Sequence, residues 1–338
     1  MKSFLYLLVL AVPLCMASCG GSSDEDEILN NTVNNTEDDE SQTETKDWVA
    51  EISASSNAQL ASVLASMISG VTLDSEGNAR IYQTAIDNTT TLDLSSKSLT
   101  SLSGLEYFVN LTSLNVSGNS LTSFSLSALT NLVYLDCSNN ALASISSLSS
   151  HSDLVELYCQ DNKLTTLSLS SLTSLTTVYC GNNSLTSLDL TDATALTYID
   201  CSGNALTALD LSNQTALTAL YCSANSLQSL LISACINLIT LECQTNALTS
   251  LDLSANVALT LLYCYANLLT ALDISPLTAL TTLLCGQQSG ETDLVLTMNS
   301  DQLSTWQSTW STQSDNSGVV LPASNGGNAD NYGNGIDY

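Results

Sequence analysis

Eight cysteines, Cys137, Cys159, Cys180, Cys201, Cys222, Cys243, Cys264 and Cys285, stand at near-constant intervals along the chain. Thiols can ligate metals, pair as disulfides or attack electrophiles. A metal site needs ligands that converge, as from Cys-x-x-Cys pairs with His partners. Here each thiol is a full repeat from the next, so no metal site is expected. If the repeats stack as parallel strands about 4.8 Å apart, neighbouring Cα atoms fall inside disulfide range. In-register side chains on parallel strands point the same way, however, which suits the disulfide dihedral badly. The favoured reading is an inward column of Cys acting as small hydrophobes, with disulfide pairs as the alternative. Burial would also shield so many thiols from an oxidising compartment.

Catalysis has little to build on. His151 is the single histidine, within Ser149-Ser150-His151-Ser152-Asp153. Those residue types occur in hydrolytic triads, but neighbours on one loop do not make the triad's geometry. A solvated loop is the reading adopted. No phosphate-binding Gly loop and no metalloprotease motif occurs. The chain is therefore not read as an enzyme, no catalytic residue is assigned and no cofactor is expected. The run Asp74-Ser75-Glu76-Gly77-Asn78 resembles a calcium loop. Ala79 stands where Gly is needed, Arg80 intrudes and Ala85 replaces the bidentate Glu, so tight calcium binding is not expected. Asp189, Asp210, Asp252 and Asp273 are read as solvated carboxylates at turn edges.

The elements that place these residues follow from one period. Asn119, Asn140, Asn162, Asn183, Asn204, Asn225, Asn246 and Asn267 recur at one fixed interval, stretched by a single position between Asn140 and Asn162. Around each the chain reads L-x-x-L-x-C-x-x-N-x-L, as in Leu196 to Leu206. A degenerate copy at Lys97 starts the series and Gln288 ends it, giving about ten turns. A fixed period of this length with this pattern is the signature of a leucine-rich-repeat solenoid. The L-x-C segment predicts a short strand with alternate residues inward, paired in parallel with its neighbours. The Asn turns inward at the strand end, where its amide can bond backbone groups of its own bend and of the next turn. The second half, as in Leu206-Thr207-Ala208-Leu209-Asp210-Leu211-Ser212, is too short for a full helix and predicts an extended or 3₁₀ convex side. The fold class is thus an α/β repeat solenoid, leucine-rich, with one parallel strand per turn of about 21 residues and helical caps at both ends.

These repeats resemble those of bacterial internalin-like surface proteins, especially Bacteroidetes lipoproteins that repeat N-x-L-T-x-L-D-x-S. The stretch Ser103 to Leu111 resembles the first repeat of that group. The resemblance covers residues 70 to 320, implies the fold, and implies little about the ligand, because the family binds many unlike partners.

The remaining segments complete the layout. Residues 1–18 read as a signal peptide, with Lys2 before the apolar run Phe4 to Leu10, too short to cross a bilayer as a mature helix. Met16-Ala17-Ser18-Cys19 resembles the lipobox of bacterial lipoproteins, which implies acylation of Cys19 and a membrane attachment through that lipid. Asp24-Glu25-Asp26-Glu27 resembles the surface-export signal of Bacteroidetes lipoproteins. Residues 19–46 lack the apolar content to fold and read as an acidic stalk. Residues 47–88 are expected to form an N-terminal helical cap, with a helix or two between Trp48 and Ser69. The solenoid is placed at 89–290. A C-terminal cap at 291–322 is expected to hold a strand at 294–296, a helix at 300–312 carrying Leu303, Trp306 and Trp310 on one face, and a last strand at 319–321. Residues 323–338 read as a disordered tail.

Charge limits the partners. Five Lys and Arg face 33 Asp and Glu, a formal net charge of -28. Such a surface repels phosphate backbones, so nucleic acid is excluded as a partner. The outward strand positions offer the contact residues: Tyr134, Asp136, Glu156, Tyr158, Tyr179, Tyr198, Asp200, Tyr221, Glu242, Tyr263 and Tyr265. Seven of the chain's 12 Tyr lie in that set. Tyr joins a large contact area to a polar tip at small entropic cost, which favours it in binding surfaces. The competing explanation is strand propensity alone. The functional expectation is a surface-anchored, monomeric binding module that takes a protein on this concave face. A glycan-binding lipoprotein and a ligand-free envelope spacer are the alternatives.

Overall fold

The computed structural model describes residues 47–290 and 293–322; the segments read above as signal peptide, acidic stalk and disordered tail, and Cys19, lie outside the described residues. The chain enters through a small mixed cap. Strand β1 (Ala50–Ile52) leads into helix α1 (Ala54–Met67), followed by β2 (Val71–Leu73), β3 (Ala79–Ile81) and helix α2 (Gln83–Asn88). The three strands form an antiparallel sheet in the order β1-β3-β2. This corrects the expectation of a purely helical cap beginning at Trp48. Helix α1 starts only after Ser53, whose side chain accepts the N–H of Ser55 as an N-cap. Its apolar face is narrower than the pattern suggests: Leu60 and Leu64 are buried, whereas Val49 and Met67 are exposed. The loop of Asp74 is the β2–β3 turn. Asp74 Oδ1 accepts from the N–H of Glu76 and of Asn78, and Oδ2 from Asn78 Nδ2, so the carboxylate is consumed by its own turn.

Ten strands then stack as one parallel sheet. They are β4 (Thr91–Asp93), β5 (Ser113–Asn115), β6 (Tyr134–Asp136), β7 (Glu156–Tyr158), β8 (Thr177–Tyr179), β9 (Tyr198–Asp200), β10 (Ala219–Tyr221), β11 (Thr240–Glu242), β12 (Leu261–Tyr263) and, after β13 (Ala271–Asp273) on the opposite side, β14 (Thr282–Leu284). Spatial order follows chain order, and every pairing is in register. Each strand is short because one repeat must also bend, cross the core and return. The middle residue is buried and its two neighbours are partly exposed from β5 to β12. The opposite side is held by turns, by single parallel bridges such as Ser168↔Asp189, and by 3₁₀ turns at Leu105–Tyr107 and Leu148–Ser150.

Two columns hold the turns together at the sheet side. The eight Cys of the repeat are all 0% exposed and all free thiols. Burial raises each pKa, to about 12 for Cys159, Cys201, Cys243 and Cys285. Loss of water disfavours the thiolate, so these are packing groups rather than nucleophiles. Beside them runs the Asn column. In Asn204, Nδ2 donates to the carbonyls of Cys201 (3.0 Å) and Ser202 (3.2 Å) in its own turn and of Cys180 (3.1 Å) in the turn before. Its Oδ1 accepts the N–H of Leu185 at 2.9 Å. The set repeats along the series, and Gln288 reproduces it at the end with its longer side chain. The residue before each Asn has a left-handed φ, at Gly118 and Gly203 but also at Asn139, Ala224 and Thr245. A non-glycine residue there is strained by about 1 kcal/mol, which the Asn bonds of that turn offset.

A second column runs on the opposite side. Leu129, His151, Leu172, Ala193, Gln214, Cys235, Asn256 and Leu277 occupy one repeat position and are all buried. Its polar members bond carbonyls of the preceding turn: Gln214 Nε2 to Leu190 (2.8 Å), Asn256 Nδ2 to Ile232 (3.0 Å). His151 belongs here, which corrects its reading as a solvated loop residue. It is 1% exposed, with Nδ1 2.9 Å from Ser147 O and Nε2 3.1 Å from Leu129 O. Both ring nitrogens are engaged by main chain, and neither faces Ser149, Ser150 or Asp153.

The last turn is closed by the C-terminal segment. Strand β15 (Leu294–Thr297) pairs in parallel with β13 and with β16 (Val319–Val320). Helix α3 (Ser300–Ser308) carries a capping box of Asn299 and Gln302, and a 3₁₀ turn follows at Trp310–Thr312. Trp306 and Trp310 are buried, and Trp310 Nε1 donates to Thr281 O at 3.1 Å. Asn316 completes the closure, accepting the N–H of Cys285 at 2.6 Å and donating to Leu283 O at 2.9 Å. The carbonyls of Thr281 and Leu283 and the N–H of Cys285 on the final rung are thereby used.

Candidate binding face

The outward positions of the strands form two columns, because a short strand presents its first and third residues to the same side. Tyr134 and Tyr198 stand in the first column; Tyr158, Tyr179 and Tyr221 stand in the second. Their rings nevertheless make one stack that steps between the columns. Centroids lie 5.5 Å apart for Tyr134–Tyr158, 4.9 Å for Tyr158–Tyr179, 4.6 Å for Tyr179–Tyr198 and 5.2 Å for Tyr198–Tyr221. The inner pairs are near parallel, at 16° and 25°. This is offset stacking, at the separation that parallel strands impose. In the inner pairs the ring faces are therefore turned to one another, while the outer pairs, at 42° and 33°, are tilted. Tyr263 and Tyr265 are not brought into the stack, because Glu242 stands in register between Tyr221 and Tyr263.

Carboxylates border the stack, and each has one oxygen held. Asp136 Oδ1 accepts the N–H (3.0 Å) and hydroxyl (2.7 Å) of Ser138. Asp200 Oδ1 does the same with Ser202, at 3.0 and 2.5 Å. Glu156 Oε2 accepts the Tyr158 hydroxyl at 2.8 Å, and Glu242 Oε2 accepts Gln244 Nε2 at 3.3 Å. Sequence reasoning missed Asp93, which occupies the same column as Asp136 and takes the N–H of Ser95. Its signal was the Leu92-Asp93-Leu94 triplet of the degenerate first repeat. It also missed the Thr at the strand entrances, such as Thr176, Thr197 and Thr218, whose hydroxyls bond carbonyls of the turn before.

The field of these groups acts on the rings. Burial, then Asp136, Glu156 and Asp93, push the Tyr134 hydroxyl up to about 12. Burial and the bond to Glu156 raise Tyr158; burial and the neighbouring Tyr179 raise Tyr198; burial and Glu242 raise Tyr221. All therefore stay neutral donors at physiological pH. Among the described residues the basic side chains are Arg80, Lys97 and Lys163, and none stands at an outward position of the ten-stranded sheet. Chemically the face can stack, donate hydrogen bonds through phenols and accept them through carboxylates. No constellation for bond making is assembled on it.

The Leucine Rich repeats (2 copies) family model matches residues 109–150 and 152–192. No curated protein matches the chain in sequence. Among solved structures, the functional domain of InlJ from Listeria monocytogenes, described as including a cysteine ladder, is 31% identical with a TM-score of 0.57, over 75% of this chain and 62% of that one. The chain thus spans less than two thirds of the InlJ domain. The internalin InlF of Listeria monocytogenes is 25% identical with a TM-score of 0.63, over 71% of this chain and 70% of that one. A leucine-rich-repeat protein of Leptospira interrogans shares the fold at 22% identity and a TM-score of 0.57, over 63% of this chain and 61% of that one. Among the described residues no helix is long and apolar enough to cross a membrane.

Proposed function

We propose that this leucine-rich-repeat chain, similar in fold to bacterial internalins, is a surface-displayed interaction module whose outward sheet face binds a protein. The observation that carries the reading is the uninterrupted stack of five Tyr, bordered by carboxylates with one oxygen already held. Five rings ordered before binding lose little further entropy on contact, which is the advantage of a preorganised surface. The stacking also favours a protein over a glycan. A sugar platform needs an open ring face, and here Tyr158, Tyr179 and Tyr198 each lie against two neighbouring rings. Display would come from an acyl group on Cys19 and the acidic stalk at 19–46, with the capped solenoid acting as a monomer.

The test compares the full chain with a Tyr158→Ala, Tyr179→Ala, Tyr221→Ala variant against a panel of extracellular proteins and polysaccharides. A protein bound by the parent and released by the folded variant supports the reading. Equal binding by both moves the assignment to the spacer function. Display is tested separately: a clickable fatty acid fed to the producing cell should label the parent and leave a Cys19→Ser variant unlabelled.

A further inference from the structure

We propose that the partner presents a cationic segment, whose Lys and Arg side chains are taken by Asp136, Glu156, Asp200 and Glu242 beside the Tyr hydroxyls. The inference rests on the binding-face reading above and specifies its ligand.

Three observations carry it. The first is the absence of internal neutralisation. Among the described residues a single ion pair occurs, Arg80 to Asp74 at 3.6 Å, inside the N-terminal cap and away from the sheet face. Among the described residues, the four carboxylates of the face thus meet no cation. In most surfaces Lys and Arg are interspersed with acids; here the chain has five bases against 33 acids, and none of the three described bases stands on the face.

The second is orientation. Each of the four carboxylates has one oxygen fixed by Ser138, Tyr158, Ser202 or Gln244. The other oxygen has no hydrogen bond among the described residues. A carboxylate steered by one bond and open at the other oxygen is set to receive an ammonium or guanidinium group without reorganising. The third is placement. The four acids lie on strands β6, β7, β9 and β11, a span of five strand spacings or about 24 Å. An extended segment of about seven residues covers that length. The stacked rings lie within the same span and offer edges for the aliphatic stems of Lys and Arg, together with phenol groups for main-chain carbonyls. The carboxylates that add to burial in raising the Tyr134 hydroxyl would repel an anionic partner and favour a cationic one.

The chain's overall charge would attract any cation, so the test must separate the face from the rest. The full chain is titrated calorimetrically, at low salt and at 300 mM salt, with a ten-residue peptide of alternating Arg and Ser. A Gln-Ser counterpart and a neutral dextran are run beside it. The face variant is Asp136→Asn, Glu156→Gln, Asp200→Asn, Glu242→Gln. The control variant removes the same number of charges from the opposite side: Asp189→Asn, Asp210→Asn, Asp252→Asn, Asp273→Asn. The expected result is that the Arg-Ser peptide binds parent and control within about twofold, while the face variant weakens by about tenfold or more. Equal weakening in both variants overturns the proposal, since binding would then be diffuse attraction. Failure of the Arg-Ser peptide to bind the parent also overturns it. If the Gln-Ser peptide binds instead, and the Tyr triple variant loses it, the binding-face reading stands while the cationic partner falls. If peptide binding survives both the face variant and the Tyr variant, both readings fall.

Discussion

The two sides of the same strands differ more than any two distant parts of the molecule. Inward, the middle residues of β6 to β11 are Leu135, Leu157, Val178, Ile199, Leu220 and Leu241, each 0% exposed, with the free Cys two residues beyond. Outward, the first residues of those strands are Tyr134, Glu156, Thr177, Tyr198, Ala219 and Thr240. Both columns share one spacing and one register. The inward column is monotonous because every turn fills the same space against the turn before, and a change of one methylene is felt at once. The outward column has no such neighbour above it. Its variety is not demanded by the fold, so the run of Tyr and acid within it is where selection for a partner can act.

Four outcomes would break or sharpen that contrast. The largest should be alkaline unfolding driven from the inward side. Cys159, Cys201, Cys243 and Cys285 are raised to about 12 from an ordinary 9. Between these values an unfolded chain releases thiol protons that the folded chain keeps. The unfolded state then binds fewer protons, and stability, complete below pH 9, falls as pH rises toward 12. Tyr134, raised from 10 to about 12, adds in the upper part of the window. Thermal melts at pH 7, 9, 10 and 11 should show a flat region followed by a steep fall. A transition temperature unchanged at pH 11 would mean that the Cys column is open to water.

Next comes a single inward truncation. Leu220→Ala should cost about 2–5 kcal/mol, because neighbouring turns cannot collapse into the gap without losing register. Chemical denaturation followed by circular dichroism reads it. Asn204→Ala should cost somewhat less, roughly 1–3 kcal/mol, by leaving the N–H of Leu185 and the carbonyls of Cys180 and Cys201 unpaired. The smallest effect belongs outside. Tyr179→Ala removes two ring contacts and should change stability by only about 1 kcal/mol, while abolishing partner binding. If Tyr179→Ala proved as damaging as Leu220→Ala, the Tyr stack would be structural and the contrast between the two sides would collapse.

The convex column shows where legibility stopped. His151 stands one repeat after Leu129 and one repeat before Leu172, so its inward position was present in the repeat register. It was hidden because a polar residue flanked by Ser and Asp reads as solvent-facing when taken alone. Gln214 and Asn256 escaped notice for the same reason, and each proves to bond a carbonyl of the turn before. The N-terminal cap was misread differently. Its apolar residues at roughly helical spacing do not show that Ala50–Ile52 pairs with Ala79–Ile81, a contact between segments on either side of a whole helix.

By itself the sequence determined the solenoid, its period, its parallel register and the side of the strand on which each residue stands. A fixed repeat admits one way of burying Leu and Cys while satisfying the Asn, and that way recurs at every turn. The Tyr stack was decided only in three dimensions. Periodicity places Tyr134 and Tyr158 outward but in different columns; their contact at 5.5 Å depends on side chains leaning across the rungs. The same holds for the held oxygens of Asp136 and Glu156 and for the closure of the last rung by Asn316. Local pattern sets which way a side chain faces, whereas distances between side chains on different turns exist only once the turns are stacked.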